Sequence, residues 1–317
     1  MSTDTVHGTA VDPADRSLVG TLALLRRYPV KSMLGEDLPA SELTCYGLEG
    51  DRSHAVIDRA TGRVASAKDP RRWQLLLRFS ARGARPAPDG PPSVSVTFPD
   101  GSTVESDDPA VDARLSAVLG RPVELRADRP AVSELDRLSP DEALAAGPEV
   151  EAPLAVLQMG AAAPAGGFFD YAPLHLLTTS TANRISELSH SGHVDPVRYR
   201  PNLVIQTPTP SDGFVENAWV GHTLFIGDTV ELQLLIPTPR CSIPMLAHGE
   251  LHRDPDAVRV LVGHNRRPLR GFGTPACAGL YAEVRRAGQI RVGDRVWITA
   301  AQTLAEDDII LPEVRNG

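Results

Sequence analysis

The sequence predicts a mainly β protein with some helix (α+β), arranged in two parts. Short apolar or alternating runs recur along the chain and are separated by tight-turn residues. Proline and glycine are abundant, at 28 and 26 residues, while aromatics make up only 5%, which disfavours a bundle of long helices. A chain of 317 residues with 42% hydrophobic content can bury more than one core. The expected organisation is a polar, disordered N-terminus (1–17), a first part (18–127), a connecting segment (128–168), a second part (169–300) and a tail (301–317).

The elements follow in order. "LVGTLALLRRY", Leu18 to Tyr28, is a short apolar strand. "ELTCYGLEGDRSHAVIDRATGRVASA" holds two strand-like runs joined by a turn at Ala60-Thr61-Gly62. "GARPAPDGPP" is a loop, and "SVSVTFPDGSTVES" alternates around Asp100-Gly101, the strongest hairpin signal in the chain. Asp108 before Pro109, with Gly120 after an apolar stripe, marks a helix start and stop. In 128–168 only "SPDEALAA" predicts a short helix.

The second part opens with a strand from Leu174 to Thr178 and a helix starting near Ser180 or Thr181. "RYRPNLVIQT" is a strand after a basic turn, and a hairpin is expected around Gly227-Asp228. Two more strands flank Gly288. Short strands returning through tight turns suggest a barrel. The tail "AEDDIILPEVRNG" reads equally as a frayed end or an oligomer arm.

Composition excludes several classes. A formal charge of −8 argues for a soluble protein that binds no nucleic acid non-specifically. No run approaches the ~20 apolar residues of a membrane span. The N-terminus lacks the basic start and apolar stretch of a secretory signal. Cys45, Cys241 and Cys277 are widely spaced, with no CxxC pair, so neither a disulfide framework nor a structural zinc site is expected. These features point to a cytoplasmic protein with free thiols.

Cys241 is the main candidate for chemistry. It lies in "LLIPTPRCSIPML", where the apolar run reads as a strand ending at Pro237 and prolines on both sides hold the thiol in a fixed loop. Arg240 precedes it, and a nearby cation favours the thiolate, which is both nucleophile and metal ligand. The other reading is a small buried residue at a strand end.

Basic residues recur beside turns: Lys31 with Ser32 in "YPVKS", Arg52 in "EGDRS", Arg72 in "DPRRW", and Arg198, Arg200 and Asn202 in "RYRPN". Such donors suit a phosphate or an anionic heterocycle if they converge, and are solvated surface charges if they do not. Thr178 to Thr181 in "LLTTST" caps a helix or lines an anion site at its N-terminus. Seven histidines fall between His175 and His264 without clear ligand spacing, and are expected at the surface or in supporting positions.

Together "YPVKS", "GLEGDR", "YRPNLVI", "PRC" and "VGDRV", in this order, resemble the MOSC family, over about residues 18 to 300. The resemblance implies a MOSC N-terminal β-barrel domain (18–127) followed by a MOSC β-barrel domain (169–300). The layout is similar to that of the mitochondrial amidoxime-reducing component and its bacterial relatives. It implies a molybdenum cofactor (molybdopterin) between the parts, with Cys241 as catalytic residue and molybdenum ligand. Lys31, Ser32, Arg52, Arg72, Thr179, Arg200, Asn202 and Arg240 would bind the cofactor. At the level of the whole family, pyridoxal phosphate binding is a further association.

Relatives of this kind reduce N-hydroxylated compounds with electrons from a separate donor protein, of ferredoxin or flavoprotein type. The implied partners are therefore a small-molecule substrate and that donor, with no nucleic acid and no membrane. The sequence departs from the family at Met33, in "CSIPMLAHGEL" after the metal cysteine, and at Cys277 in "PACAGLY". The 317 residues contain no ferredoxin-type segment. Three functions stay open: a molybdenum oxidoreductase acting on N–O compounds, a sulfur carrier or transferase using a Cys241 persulfide, and a non-catalytic protein that binds a cofactor or another anion.

Overall fold

Strand Ser17–Arg27 holds the architecture together, because it hydrogen-bonds on both sides. A register shift between Leu22 and Leu24 resets the inward face, so that Leu22 and Leu25 both enter the same core. Burying each contributes about 1.5–3 kcal/mol. A second shift lies between Leu18 and Gly20, where a Cβ on Gly20 would overlap the Gln206 carbonyl oxygen of the adjacent strand. In the computed structural model, residues 15–83, 92–208 and 213–299 are described, together with the backbone of Val314–Asn316.

Seven strands close into a barrel: Ser17–Arg27, Leu203–Gln206, Leu174–Thr178, Cys277–Arg286, Val230–Pro239, Thr223–Ile226 and Arg295–Ile298, which pairs back with the first. All neighbours are antiparallel except Leu174–Thr178 and Leu203–Gln206. That parallel pair needs a crossover, which helix Thr179–Leu188 begins. Thr178 caps this helix by accepting the Thr181 N–H at 3.1 Å. The strand that opens the first part thus completes the barrel of the second.

The first part has its own core, in which Val30, Met33, Trp73, Leu76, Phe79 and Phe98 pack together. The hairpin expected at Asp100-Gly101 joins Val94–Thr97 to Thr103–Glu105. Helix Val111–Leu119 stops at Gly120, whose φ is 68°.

Some elements differ from the sequence reading. Segment 128–168 holds the expected helix Pro140–Ala146, but also the paired strands Glu134–Arg137 and Ala155–Gln158. Asp136 is buried next to Leu135 and pairs with Arg63 at 2.6 Å, which hides the alternating pattern. Helix Asp256–His264 is absent from the sequence reading; it follows Asp254-Pro255, and a proline can start a helix. Strand Val230–Pro239 runs two residues beyond Pro237 through register shifts at both prolines.

The N-terminal segment, expected to be disordered, lies outside the described residues over 1–14, as does most of "GARPAPDGPP" over 84–91. The tail is described only where the backbone of Val314–Asn316 pairs with Ala155–Gln158. Among the described residues no helix is long and apolar enough to cross a membrane.

Candidate functional site

Loops from both parts meet over one end of the barrel and line a cleft. The turn after strand Ser17–Arg27 brings Lys31 and Ser32. The turn after Gly47–Leu48 brings Asp51 and Arg52, and the turn Pro196–Tyr199 delivers Arg200 and Asn202. The end of Val230–Pro239 supplies Arg240 and Cys241. Seven of the nine cofactor-binding and catalytic positions expected from the sequence therefore share one wall with residues not named there as site candidates, among them Lys68, Asp170, His175 and Tyr281.

Backbone strain concentrates here. Among the described residues four non-glycines have positive φ, and three of them, Ser32 (65°), Arg52 (50°) and Arg200 (56°), line this cleft. Each such conformation costs on the order of 1–3 kcal/mol and persists only where its surroundings enforce it. Asn202 is part of that enforcement. Its Oδ1 accepts the His175 N–H at 3.1 Å, and its Nδ2 donates to Asp51 Oδ2 at 3.1 Å and to the Arg26 carbonyl at 3.2 Å.

Charge is unbalanced. Lys31, Arg52, Lys68, Arg200 and Arg240 face the cleft, against two carboxylates, Asp51 and Asp170. Lys31 and Lys68 reach the same Asp170 oxygen, at 2.7 and 2.8 Å. Burial would raise the Asp170 pKa, but the two ammonium groups hold it well below the usual carboxylate range. Burial lowers Lys31 to about 8 despite Asp170. It also lowers Arg200 to about 9, assisted by repulsion from Arg52. Burial, followed by Arg240, pushes His175 down to about 3, so the imidazole adds no charge near neutral pH.

Arg200 is the least satisfied member. Its guanidinium lies 4.2 Å from the Tyr28 ring centre, and the Arg52 guanidinium lies 4.5 Å from that centre. Both terminal nitrogens of Arg200 are buried without a hydrogen-bond partner. Buried donors of this kind are normally paired, and leaving them orphaned costs about 1–3 kcal/mol or more for a charged group. Ser32 Oγ accepts the Ala67 N–H at 3.1 Å, which leaves its own hydroxyl proton to donate.

Cys241 is 6% exposed and lines the cleft, with its other flank against Ile243, Met245 and Leu246. One side of Cys241 is thus packed as a small buried residue, and the other borders the cleft. Arg240 is turned away from solvent: Nη2 donates to the Tyr199 carbonyl at 2.7 Å, and Nη1 lies 3.4 Å from His175 Nε2. Arg198 braces the loop after Cys241 by donating to the carbonyls of Pro244, Leu246 and His252 at 3.3, 2.9 and 2.6 Å.

Two of the expected residues do not join them. Arg72, at the end of helix Pro70–Trp73, faces Asp69 and Asp136 at 3.7 Å each and lies outside the cleft. Thr179 shares its hydroxyl with Thr207 at 3.3 Å and accepts the Thr207 N–H at 3.1 Å, and it does not line the cleft either. His175 and His248, expected at the surface or in support, are 6% and 3% exposed. Lys68 and Asp170 carry no motif signal. Their only hint is that "SAKDP" and "GGFFDYAP" place a lone charge beside small or aromatic residues.

Comparison with known proteins identifies the assembly. A family model for the MOSC domain matches residues 165–297, and one for the MOSC N-terminal beta barrel domain matches residues 19–87. The chain belongs to the MOSC-domain family. The MOSC match starts well after strand Ser17–Arg27, although that strand closes the MOSC barrel, so the two units share one sheet. Among solved structures, the YUAD protein from Bacillus subtilis is 9% identical, with a TM-score of 0.45, over 90% of this chain and 98% of that chain. No curated protein matches the chain.

Proposed function

We propose that this MOSC protein is a molybdenum-cofactor-dependent oxidoreductase that reduces N-hydroxylated or other N–O compounds. The observation that carries the proposal is the buried Arg200 guanidinium, whose two unpartnered terminal nitrogens share a cleft with the Cys241 thiol. An anionic ligand would satisfy the guanidinium, and the excess of cationic side chains would balance its charge.

The residues present fit a molybdopterin. Arg200, Arg52, Lys31 and the Ser32 hydroxyl would hold its anionic groups, and Cys241 would offer one soft thiolate to the metal. Among the described residues no three of His, Cys, Asp or Glu gather as a ligand set, so a metal at Cys241 would need ligands brought by its own cofactor. When bound, the cofactor supplies two-electron redox and oxygen-transfer chemistry. The chain's part is to bind and orient. The Lys31–Asp170–Lys68 cluster anchors one wall, Asn202 locks the turn that presents Arg200, and the neutral His175 leaves the positive potential to the arginines. Electrons would come from a separate donor protein of ferredoxin or flavoprotein type.

The test is turnover of an N-hydroxylated aromatic compound with a chemical reductant, using protein expressed in a host that makes the cofactor. Cys241→Ala is expected to abolish metal-dependent turnover. Unchanged turnover in that variant would remove the proposal. Cyanide-labile sulfur on Cys241 without molybdenum would instead select the sulfur-carrier reading, and a retained ligand with no turnover the non-catalytic one.

A further inference from the structure

Cys241 borders a second cavity, on the other side of the wall it forms. This cavity is small and differs from the cationic cleft in chemistry. Its lining includes Tyr171, Ile236, Leu269, Phe272 and Tyr281. The two cavities share Lys68, Asp170, Pro239, Cys241 and Tyr281. Arg137, Leu157 and Phe272 also line an outer hollow, so a route from that hollow to the sulfur would pass Arg137 and Phe272.

Arg137 is poised along this route. Its guanidinium lies 5.2 Å from the Phe272 ring centre, and Nη2 donates to the Arg240 carbonyl at 2.9 Å, the peptide just before Cys241. Its Nε is buried without a partner, and among the described residues no carboxylate pairs with it. An arginine beside aromatic rings, with an unfilled donor, suits a flat molecule that carries a carboxylate or a similar anion.

We infer that the aromatic cavity is the substrate site and takes a planar, largely apolar molecule bearing an anionic group, with Arg137 as the specificity-determining residue. The name "substrate" rests on the oxidoreductase reading, whereas the binding chemistry does not. The anionic end would sit at Arg137, the ring between Phe272 and the two tyrosines, and the opposite edge toward Cys241.

Calorimetric titration of the full-length protein with benzoate, and with its neutral isostere benzamide, tests this directly. Benzoate is expected to bind saturably, and benzamide roughly tenfold or more weakly. Arg137→Gln should weaken benzoate by a similar factor, and Arg137→Lys should restore part of the loss. Arg200→Gln, across the shared wall, should leave benzoate affinity within about threefold. The inference is overturned if the wild-type protein shows no saturable benzoate binding or does not distinguish the two probes. It is equally overturned if Arg200→Gln abolishes binding, because benzoate then occupies the cationic cleft. The benzoate–benzamide comparison needs no variant and so survives any folding defect in Arg137→Gln. Arg137-dependent benzoate binding by protein that never takes up molybdenum would keep this inference and discard the oxidoreductase reading.

Discussion

Replacing Arg200 by Gln separates what the cleft costs from what it binds. Burial and Arg52 lower the guanidinium from 12.5 to about 9. At about 1.4 kcal/mol per tenfold change in proton affinity, holding the charge costs at most about 5 kcal/mol. For a cation with a depressed pKa, that cost is fully present below about pH 9 and is relieved as pH rises toward 12.5. Gln removes the charge, but leaves an amide without partners, at about 1–3 kcal/mol, and loses the stack on Tyr28. Gln and Arg share the same aversion to the left-handed backbone at this position, where φ is 56°, so the strain term cancels. The expected net effect on the ligand-free protein at pH 7 is a gain of about 1–3 kcal/mol.

Urea unfolding reads this gain as a midpoint higher by about 0.3–1 M, taking a slope of about 3 kcal/mol per M. Inorganic phosphate should then separate the two proteins in the opposite direction. Wild type should gain about 1.4 kcal/mol at tenfold above its dissociation constant, and the variant little or nothing. A variant less stable than wild type, or one stabilised by phosphate to the same extent, would refute the assignment of Arg200 as an anion donor held in reserve.

Two further predictions concern the same wall. Lys31 has its pKa lowered to about 8, so anion affinity should fall as pH rises through about 8, while its contribution to stability improves between about 8 and 10.5, where the unfolded chain binds the extra proton. Lys31→Met should flatten both profiles in phosphate titrations and urea melts, and profiles identical to wild type would reject the role. Gly279 has φ of 78°, and a Cβ there would overlap the Leu176 carbonyl oxygen and the His175 ring. Gly279→Ala should therefore cost about 2–4 kcal/mol in urea unfolding and disturb phosphate binding through His175, whereas a neutral substitution would show that the close approach is not needed.

Much of the cleft is readable from the chain because its donors sit beside turn residues. Lys31, Ser32, Arg52 and Arg200 occupy turns where a polar side chain is exposed to whatever the barrel end holds, and prolines isolate Cys241 from a regular strand. What local sequence does not carry is pairing over distance. Lys31 meets Asp170 across a separation of 139 residues, and nothing near either residue marks the other. Arg72 resembles the other arginines in its local setting, but buried Asp69 and Asp136 hold it elsewhere. Thr179 follows the capping threonine, yet its hydroxyl serves the Thr207 backbone. The barrel was readable from strand spacing, but its closure by Ser17–Arg27 was not, since strand partners depend on long-range register. Strands Glu134–Arg137 and Ala155–Gln158 are four residues each, too short for a periodic signal.

The most direct measurement is the molybdenum and pterin content of the purified wild-type protein and its Cys241→Ala variant, both expressed in a cofactor-producing host. Wild type should carry close to one molybdenum and one pterin per chain. The variant should lose most of the metal while the arginine cleft keeps a share of the pterin. A wild-type protein without either, or a variant that holds metal equally well, would contradict a cofactor bound between these basic loops through the sulfur of Cys241.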